Sequence, residues 1–173
     1  MFKTKKMIVA ALMAAVMCIL APISIPVSGG IGISLGVFVI LLMAYLLEFP
    51  MCIASCIVYL IMGFIGLPVF AGYQGGLGVL MGPSGGFLIG YILLVSIAGS
   101  FSLIFKGKRI LFAVGAFVGL LLCYLLGILW YMHIMKVGFI ASVMVCVVPF
   151  IAFDIIKILL VSMIGPIIKK RVD

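Results

Sequence analysis

The chain has 173 residues, of which 68% are hydrophobic and only 8% are charged. Soluble domains carry roughly 25% charged residues, so this composition excludes a soluble protein and predicts an integral membrane protein. The formal net charge of +8 does not indicate a nucleic-acid-binding face, because nine of the eleven basic residues lie in three clusters beside apolar segments.

The first predicted membrane span covers about residues 7–25 and follows a cluster of three lysines. A basic start and an apolar core are also typical of a signal peptide. Pro22 directly follows the one plausible cleavage site, Ala21, and the chain continues into another apolar segment, so we predict a permanent helix. Pro22, Pro26 and a turn at residues 28–30 are predicted to end it.

Small residues recur at four-residue spacing in this span, as the pairs Ala10 with Ala14 and Ala11 with Ala15. In lipid, small side chains let helices approach closely, because packing rather than water exclusion drives their association. Two interpretations remain open: the alanines pack inside the same bundle, or they form a docking face for another membrane subunit.

The next spans are predicted at about residues 33–47 and 51–65, with residues 48–50 between them. The first of these is short, because a helix needs about 20 apolar residues to cross the hydrocarbon core. Either its end is recessed into the protein or the predicted boundary is displaced. Spans four and five are predicted at residues 87–105 and 110–130, on either side of a basic cluster.

Residues 66–90 form a glycine-rich segment between the third and fourth spans, and eight of residues 66–86 are glycine. Glycine permits backbone conformations that let another group approach the main chain closely. Pro68 and Pro83 divide the segment into short turns. Its many apolar side chains do not suit a solvated linker. We therefore predict a structured loop that covers a ligand.

The last apolar run covers residues 137–168, which is too long for one ordinary span. Pro149 is the natural break, since proline is tolerated in the first turn of a helix and disfavoured in its interior. We therefore predict a short re-entrant or interfacial helix over residues 137–148 and a sixth span over residues 149–168. His133 is predicted to lie in the preceding connection, exposed to solvent.

These elements predict an all-α integral membrane protein with a single six-helix domain over residues 1–173. Six spans place both termini on the same side, and all three basic clusters then fall on that side. Basic residues concentrate on the cytoplasmic side of membrane proteins. We therefore expect cytoplasmic N- and C-termini and a glycine-rich loop on the outer side.

Asp154 is the only acidic residue inside a predicted span, and Lys157 is the only basic one. At three-residue spacing the two share a helix face. Ionisable groups at membrane depth are costly and by default mark a functional site. The alternative is an internal ion pair that only stabilises the sixth span. As a binding site, the pair would match a neutral ligand group that has both N–H and C=O functions.

The rest of the predicted pocket comes from the glycine-rich loop and the span that follows it. Its candidate ligand-binding residues are Tyr73, Gln74, Ser84, Gly85 and Tyr91. Together with aliphatic side chains, these groups suit a small, largely apolar solute with one or two polar ends.

The sequence carries no catalytic or nucleotide-hydrolysing motif. All five cysteines lie in apolar runs, and even Cys52 and Cys56, which share a helix face, lack a neighbouring His or carboxylate. We therefore predict a protein that is not an enzyme and has no metal and no cofactor. Any energy for uphill transport must then come from a partner or an ion gradient.

Two motifs resemble the BioY family, the biotin-binding membrane subunits (S components) of energy-coupling factor (ECF) transporters. The family's loop motif is matched by Gly-Leu-Pro-Val-Phe-Ala-Gly at residues 66–72, Gly-Gly at 75–76 and Gly-Pro-Ser-Gly-Gly-Phe at 82–87. The second motif, Pro-Phe-x-x-x-Asp-x-x-Lys, stands at residues 149–157. Both motifs and the six-span layout cover nearly the whole chain.

The resemblance implies capture of biotin from outside a prokaryotic cell membrane, with Asp154 and Lys157 binding the ligand. It also implies a partner complex of a transmembrane coupling subunit (T component) and two ATPase subunits, which would hydrolyse ATP. Family members dock on the coupling subunit through an A-x-x-x-A face of the first helix, and both alanine pairs described above match that pattern.

The chain departs from the family's common pattern at several positions. Residues 32–36 lack the usual Thr and Gln, while Tyr73 and Ser84 stand where Gly and Thr are common. Both arginines are predicted on the cytoplasmic side. No arginine would therefore be available on the outer side to bind the biotin carboxylate. Either backbone N–H groups, Gln74, Ser84 or Lys136 would bind it, or the carboxylate would stay in water.

Three functions are compatible with these features. The first is the biotin-binding subunit of an ECF importer. The second is a carrier for another small vitamin-like solute, or one that works alone by facilitated exchange, and co-purification with an ATPase module would separate it from the first. The third is a non-transport membrane scaffold or enzyme accessory whose Asp154–Lys157 pair is purely structural, which predicts no stabilisation by a ligand.

Overall fold

The computed structural model describes residues 2–26, 31–105 and 108–172, and this part of the chain is mainly helical. The helices are α1 (Phe2–Leu20), α2 (Gly36–Leu46), α3 (Phe49–Phe64), α4 (Leu77–Leu80), α5 (Gly85–Ile104), α6 (Arg109–Met135), α7 (Phe139–Cys146) and α8 (Val148–Val172). The strands are β1 (Ser24–Pro26) and β2 (Gly32–Ser34). The predicted turn at residues 28–30 lies outside the described residues.

The β1–β2 hairpin corrects the predicted ends of the first two spans. Residues 24–25 and 33–34 were expected to be helical, but they pair as antiparallel strands, with Ser24 opposite Ser34. Helix α1 ends at Leu20 because Pro22 has no backbone N–H to continue the helical hydrogen bonds. The hairpin also removes the first residues of the second predicted span, which leaves α2 with 11 residues.

Helix α2 lies at the centre of the bundle, where it packs against α5 and α8. Nine of its 11 residues are buried, as expected for a helix that is apolar on all sides. At about 1.5 Å per residue its length is roughly 16 Å, about half of the hydrocarbon core. The second predicted span is therefore a short central helix.

Helices α5 and α6 pack closely along one another because glycines stand at their contacts. A Cβ atom at Gly86 would lie 2.3 Å from the Cβ of Trp130, and one at Gly90 would lie 2.8 Å from the Sγ of Cys123. In length and composition, α5, α6 and Val148–Arg171 of α8 can each cross a membrane, while α2 and α3 are shorter apolar helices. The protein is therefore a membrane protein.

Helices α6, α7 and α8 correspond to the predicted fifth span, short helix and sixth span, but some of their ends differ from the prediction. Helix α7 matches the predicted short helix, and α8 begins at Val148 with Pro149 in its first turn, so the break at the proline is confirmed. Helix α6 continues to Met135, beyond the predicted end at residue 130. His133 is consequently exposed in the last turn of α6 and not in a connection.

The glycine-rich segment between α3 and α5 is an ordered loop that includes the single helical turn α4. Hydrogen bonds attach it to its surroundings. Among them, Tyr59 Oη donates to the Val69 carbonyl (3.1 Å), the Gly72 N–H donates to the Pro22 carbonyl (3.0 Å), and Trp130 Nε1 donates to the Gly82 carbonyl (3.0 Å). These bonds connect the loop to α3, to the residues after α1 and to α6. They position it beside the β1–β2 hairpin.

Candidate functional site

The predicted ion pair exists and is buried. Asp154 and Lys157 lie one turn apart on α8, are 3% and 9% exposed, and their Oδ1 and Nζ atoms are 2.8 Å apart. Tyr124 on α6 donates a hydrogen bond of 2.6 Å to Asp154 Oδ2, and Lys157 donates a second bond of 2.8 Å to the backbone carbonyl of Ser34. Helices α6 and α8 and strand β2 therefore meet at this pair.

The pair keeps hydrogen-bonding capacity for a ligand. A Lys ammonium has three N–H donors and an ionised carboxylate has about four acceptor positions. Lys157 uses two donors, on Asp154 and Ser34, and Asp154 accepts one bond at each oxygen. One donor and about two acceptor positions therefore remain. This combination complements a neutral group with one carbonyl and two N–H functions.

Two adjoining cavities lie at this site. The cavity lined by Asp154, Lys157 and Tyr124, here called the ion-pair cavity, has a volume of about 50 Å³. The second, here called the loop cavity, has a volume of about 200 Å³ and lies between the hairpin, the glycine-rich loop and α5. The residues that line both are Ile31, Gly32, Ser34, Phe87 and Tyr91.

The structure brings five of the seven predicted ligand-binding residues to these cavities. Asp154 and Lys157 line the ion-pair cavity, Gln74 and Ser84 line the loop cavity, and Tyr91 lines both. The site therefore combines a charged end, which is held by helices, with a neutral polar end under the loop.

The other two predicted residues line neither cavity. Tyr73 is 66% exposed and has a φ of 58°, because it follows Gly72 in the tight turn that joins Phe70 to Gln74. Gly85 lies at the start of α5, where a Cβ atom would be only 1.7 Å from the Leu80 carbonyl oxygen. Gly85 thus lets the loop pack against α5.

Sequence reasoning missed Tyr124 and Ser34. A tyrosine in the middle of an apolar span is a usable signal, because its buried hydroxyl needs a hydrogen-bonding partner. Ser34 gave no such signal, since it contacts Lys157 through its backbone carbonyl, a group that every residue has. Its hydroxyl accepts a bond of 3.2 Å from the Gly36 N–H.

The two alanine pairs of α1 face in different directions. Ala10 and Ala14 are buried, and the Ser55 hydroxyl of α3 donates a 2.9 Å hydrogen bond to the Ala10 carbonyl. Ala11 and Ala15 are exposed. The first pair therefore packs inside the bundle, and the second lies on the outer surface of α1.

The buried cysteines have no metal-binding arrangement around them. Cys52 donates a hydrogen bond of 3.0 Å to the Phe49 carbonyl, as a small buried residue would. Among the described residues, no group of three or more His, Cys, Asp or Glu side chains is placed to hold a metal ion.

Known transport proteins resemble this chain in sequence. A "Probable biotin transporter BioY" from Pyrococcus horikoshii is 37% identical over 103 residues, which are 60% of this chain and 59% of that protein. The "Biotin transporter BioY" of Thermotoga maritima is 36% identical over 118 residues, or 65% of each chain. The "Biotin transporter BioY2" of Lactococcus lactis is 34% identical over 64% of this chain and 61% of its own. The matched region thus spans about three fifths of these relatives.

A solved structure extends the likeness to the whole fold. The S-component for biotin from an ECF-type ABC transporter superposes with a TM-score of 0.90 at 26% identity, covering 97% of this chain and 92% of that one. The model of the BioY family matches residues 1–173. The chain therefore belongs to the BioY family.

Proposed function

We propose that the chain is the substrate-binding membrane subunit of an ECF importer and captures biotin from outside the cell for ATP-driven uptake. The observation that carries this proposal is the buried Asp154–Lys157 pair, set in a fold that matches a biotin S-component over 97% of the chain. The relatives named biotin transporters support the same substrate.

The ion pair binds the ureido ring of biotin. A ureido group presents two N–H donors and one carbonyl acceptor, and the pair has about two acceptor positions on Asp154 and one donor on Lys157 left over. Both partners keep their intramolecular bonds when the ligand arrives. Since hydrogen bonds that involve a charged group are about twice as strong as neutral ones, this contact supplies most of the polar recognition.

The thiophane ring and the valeryl chain occupy the loop cavity. Its lining is mostly apolar and aromatic, with Tyr59, Phe70, Phe87 and Leu88 among its walls. Apolar burial contributes about 25 cal/mol per Å². The hydroxyl of Ser84 and the amide of Gln74 supply hydrogen bonds at the far end of the ligand.

The protein crosses the cell membrane with both termini in the cytoplasm. Six spans, of which α2 is incomplete, and the three basic clusters at residues 3–6, 106–109 and 169–171 support this orientation. The hairpin and the glycine-rich loop then lie at the outer face. Biotin enters the loop cavity from that side.

Transport requires a T component and two ATPase subunits. The exposed Ala11 and Ala15 form the docking face of α1, because small residues allow a second helix to approach closely. Replacing Ala15 with Leu is expected to abolish co-purification of the ATPases, whereas Ala141→Leu, an exposed site on α7, is expected to retain it. Retention by both variants would contradict this docking face.

The experiment that tests the proposal is a calorimetric titration of the purified chain in detergent with biotin and with desthiobiotin. Desthiobiotin keeps the ureido ring and lacks the thioether bridge. We expect tight one-to-one binding of biotin and weaker binding of desthiobiotin, because the ureido contact remains while ring packing is lost. Well-folded protein that binds neither compound would refute biotin as the substrate.

A further inference from the structure

The loop cavity is lined by neutral side chains. Its polar groups include Ser24 of β1, Gln74 of the glycine-rich loop and Ser84 before α5, which come from three different elements. Ser84 stands at the N-cap position of α5 but makes no capping hydrogen bond with its side chain, so its hydroxyl is available to a ligand. Residues 27–30, which stand between β1 and β2 in the sequence, include no ionisable residue type.

The charged groups of the described residues lie elsewhere. Asp154 and Lys157 line the ion-pair cavity but not the loop cavity, and they bind each other. Lys136 at the end of α6 is exposed and lines neither cavity. The ligand end that reaches the loop cavity therefore meets hydroxyl and amide groups and no cation.

Neutral donors and cations select different ligands. A hydroxyl or amide donates a similar hydrogen bond to a carboxylate, an ester carbonyl or an amide carbonyl. A Lys or Arg would favour the carboxylate, because a charge-assisted hydrogen bond is roughly twice as strong as a neutral one. A free carboxylate in a cavity without a cation also loses part of its hydration without a compensating charge.

From this separation of charge we propose that the chain accepts carboxyl-blocked forms of biotin, its esters and amides, as well as the free acid. The inference rests on the proposed function, since it assumes that the ureido ring occupies the ion-pair cavity. The selectivity of the site then comes from the ureido end. The valeryl end is recognised by shape and by neutral hydrogen bonds.

A titration of the purified chain with biotin, biotin methyl ester and biotin primary amide tests the inference. We expect the three dissociation constants to agree within about tenfold, because every lost contact is a neutral hydrogen bond. A loss of more than about tenfold for either blocked compound, with biotin still bound, would overturn the inference alone. Failure of all three compounds to bind folded protein would overturn the proposed function and the inference together.

A charge introduced into the cavity provides the second test. Gln74→Lys places an ammonium in the lining and is expected to raise the preference for biotin over its amide by roughly tenfold. Met81→Lys is the matched control, since it adds the same charge to an exposed position of the same loop that lines neither cavity. Equal preferences in the two variants would show that the ligand's end lies away from Gln74 and would overturn the inference.

Discussion

The ion-pair cavity and the loop cavity share a wall but are built from different kinds of structure. The first is held mainly by helices, and its charged groups are fixed by the Tyr124, Asp154, Lys157 and Ser34 contacts. The second is enclosed by a short hairpin and a glycine-rich loop, and the loop is attached by hydrogen bonds to α3, to Pro22 and to α6. Two helices and the backbone of Ser34 thus hold the costly charges, and the hairpin and the loop cover the apolar part of the site.

The comparison predicts that changes at the ion pair have larger effects than changes at the loop. Removing one member of a buried ion pair leaves an uncompensated charge in a medium that solvates it poorly. Removing a neutral group from a loop-lined cavity leaves a polar partner that water can reach.

Lys157→Met is expected to destabilise the protein by about 3–5 kcal/mol, because Asp154 stays buried without its cation. The measurement is thermal or denaturant unfolding in detergent. The control is the double variant Asp154→Asn/Lys157→Gln, which removes both charges and is expected to recover most of the lost stability. Equal stability of Lys157→Met and the wild type would show that Asp154 does not need its cation for the protein to be stable.

Tyr124→Phe is expected to weaken biotin binding by about tenfold, because the Asp154 carboxylate loses a contact that orients it and must be ordered when the ligand binds, at a cost of about 0.5–1.5 kcal/mol. Tyr124 orients the Asp154 carboxylate through its 2.6 Å hydrogen bond. Tyr131→Phe, at another buried position of α6, serves as the matched control and is expected to bind biotin normally. Wild-type affinity in Tyr124→Phe would show that Tyr124 does not contribute to biotin binding.

Two glycines of the loop give a paired test of its packing. A Cβ atom at Gly75 would lie 2.2 Å from the Leu67 carbonyl oxygen, whereas one at Gly78 would meet no atom within 4 Å. Gly75→Ala is therefore expected to cost about 1–3 kcal/mol of stability through overpacking, and Gly78→Ala is expected to be nearly neutral. Unfolding of the two variants in parallel checks this difference, which equal stabilities would refute.

Ser84→Ala is expected to weaken biotin binding by only about fivefold, corresponding to one neutral hydrogen bond of about 1 kcal/mol. Because the Ser84 side chain does not cap α5, its loss leaves the helix intact. Ser100→Ala, whose hydroxyl bonds within the same helix, is the control. A loss as large as that expected for Tyr124→Phe would contradict the division between the two cavities.

The ion pair could be predicted because two ionisable residues stand out in an apolar run, and Pro149 marked the start of α8. The contacts that complete the pair depend on tertiary structure. Ser34 reaches Lys157 from more than 100 positions away through a backbone group, and no local pattern announces such a bond.

The β1–β2 hairpin and the burial of the alanine pairs also depend on tertiary structure and could not be predicted from local sequence. Strands of three residues cannot be recognised by alternation, and β1 exists because it pairs with β2. Both alanine pairs have the same spacing, so only the packing of α1 against α3, with its Ser55–Ala10 hydrogen bond, decides which pair is buried. The exposed left-handed turn at Tyr73 likewise depends on the Phe70–Gln74 pairing.

The most direct test of the central claim, that the Asp154–Lys157 pair binds the ureido ring, is a biotin titration of Asp154→Asn/Lys157→Gln beside the wild type. The double variant keeps side chains of similar size and leaves no unpaired buried charge. We predict a folded protein whose affinity for biotin falls by at least about tenfold, since hydrogen bonds to charged groups are lost. Unchanged affinity in the folded variant would contradict the claim and leave the pair with a purely structural role.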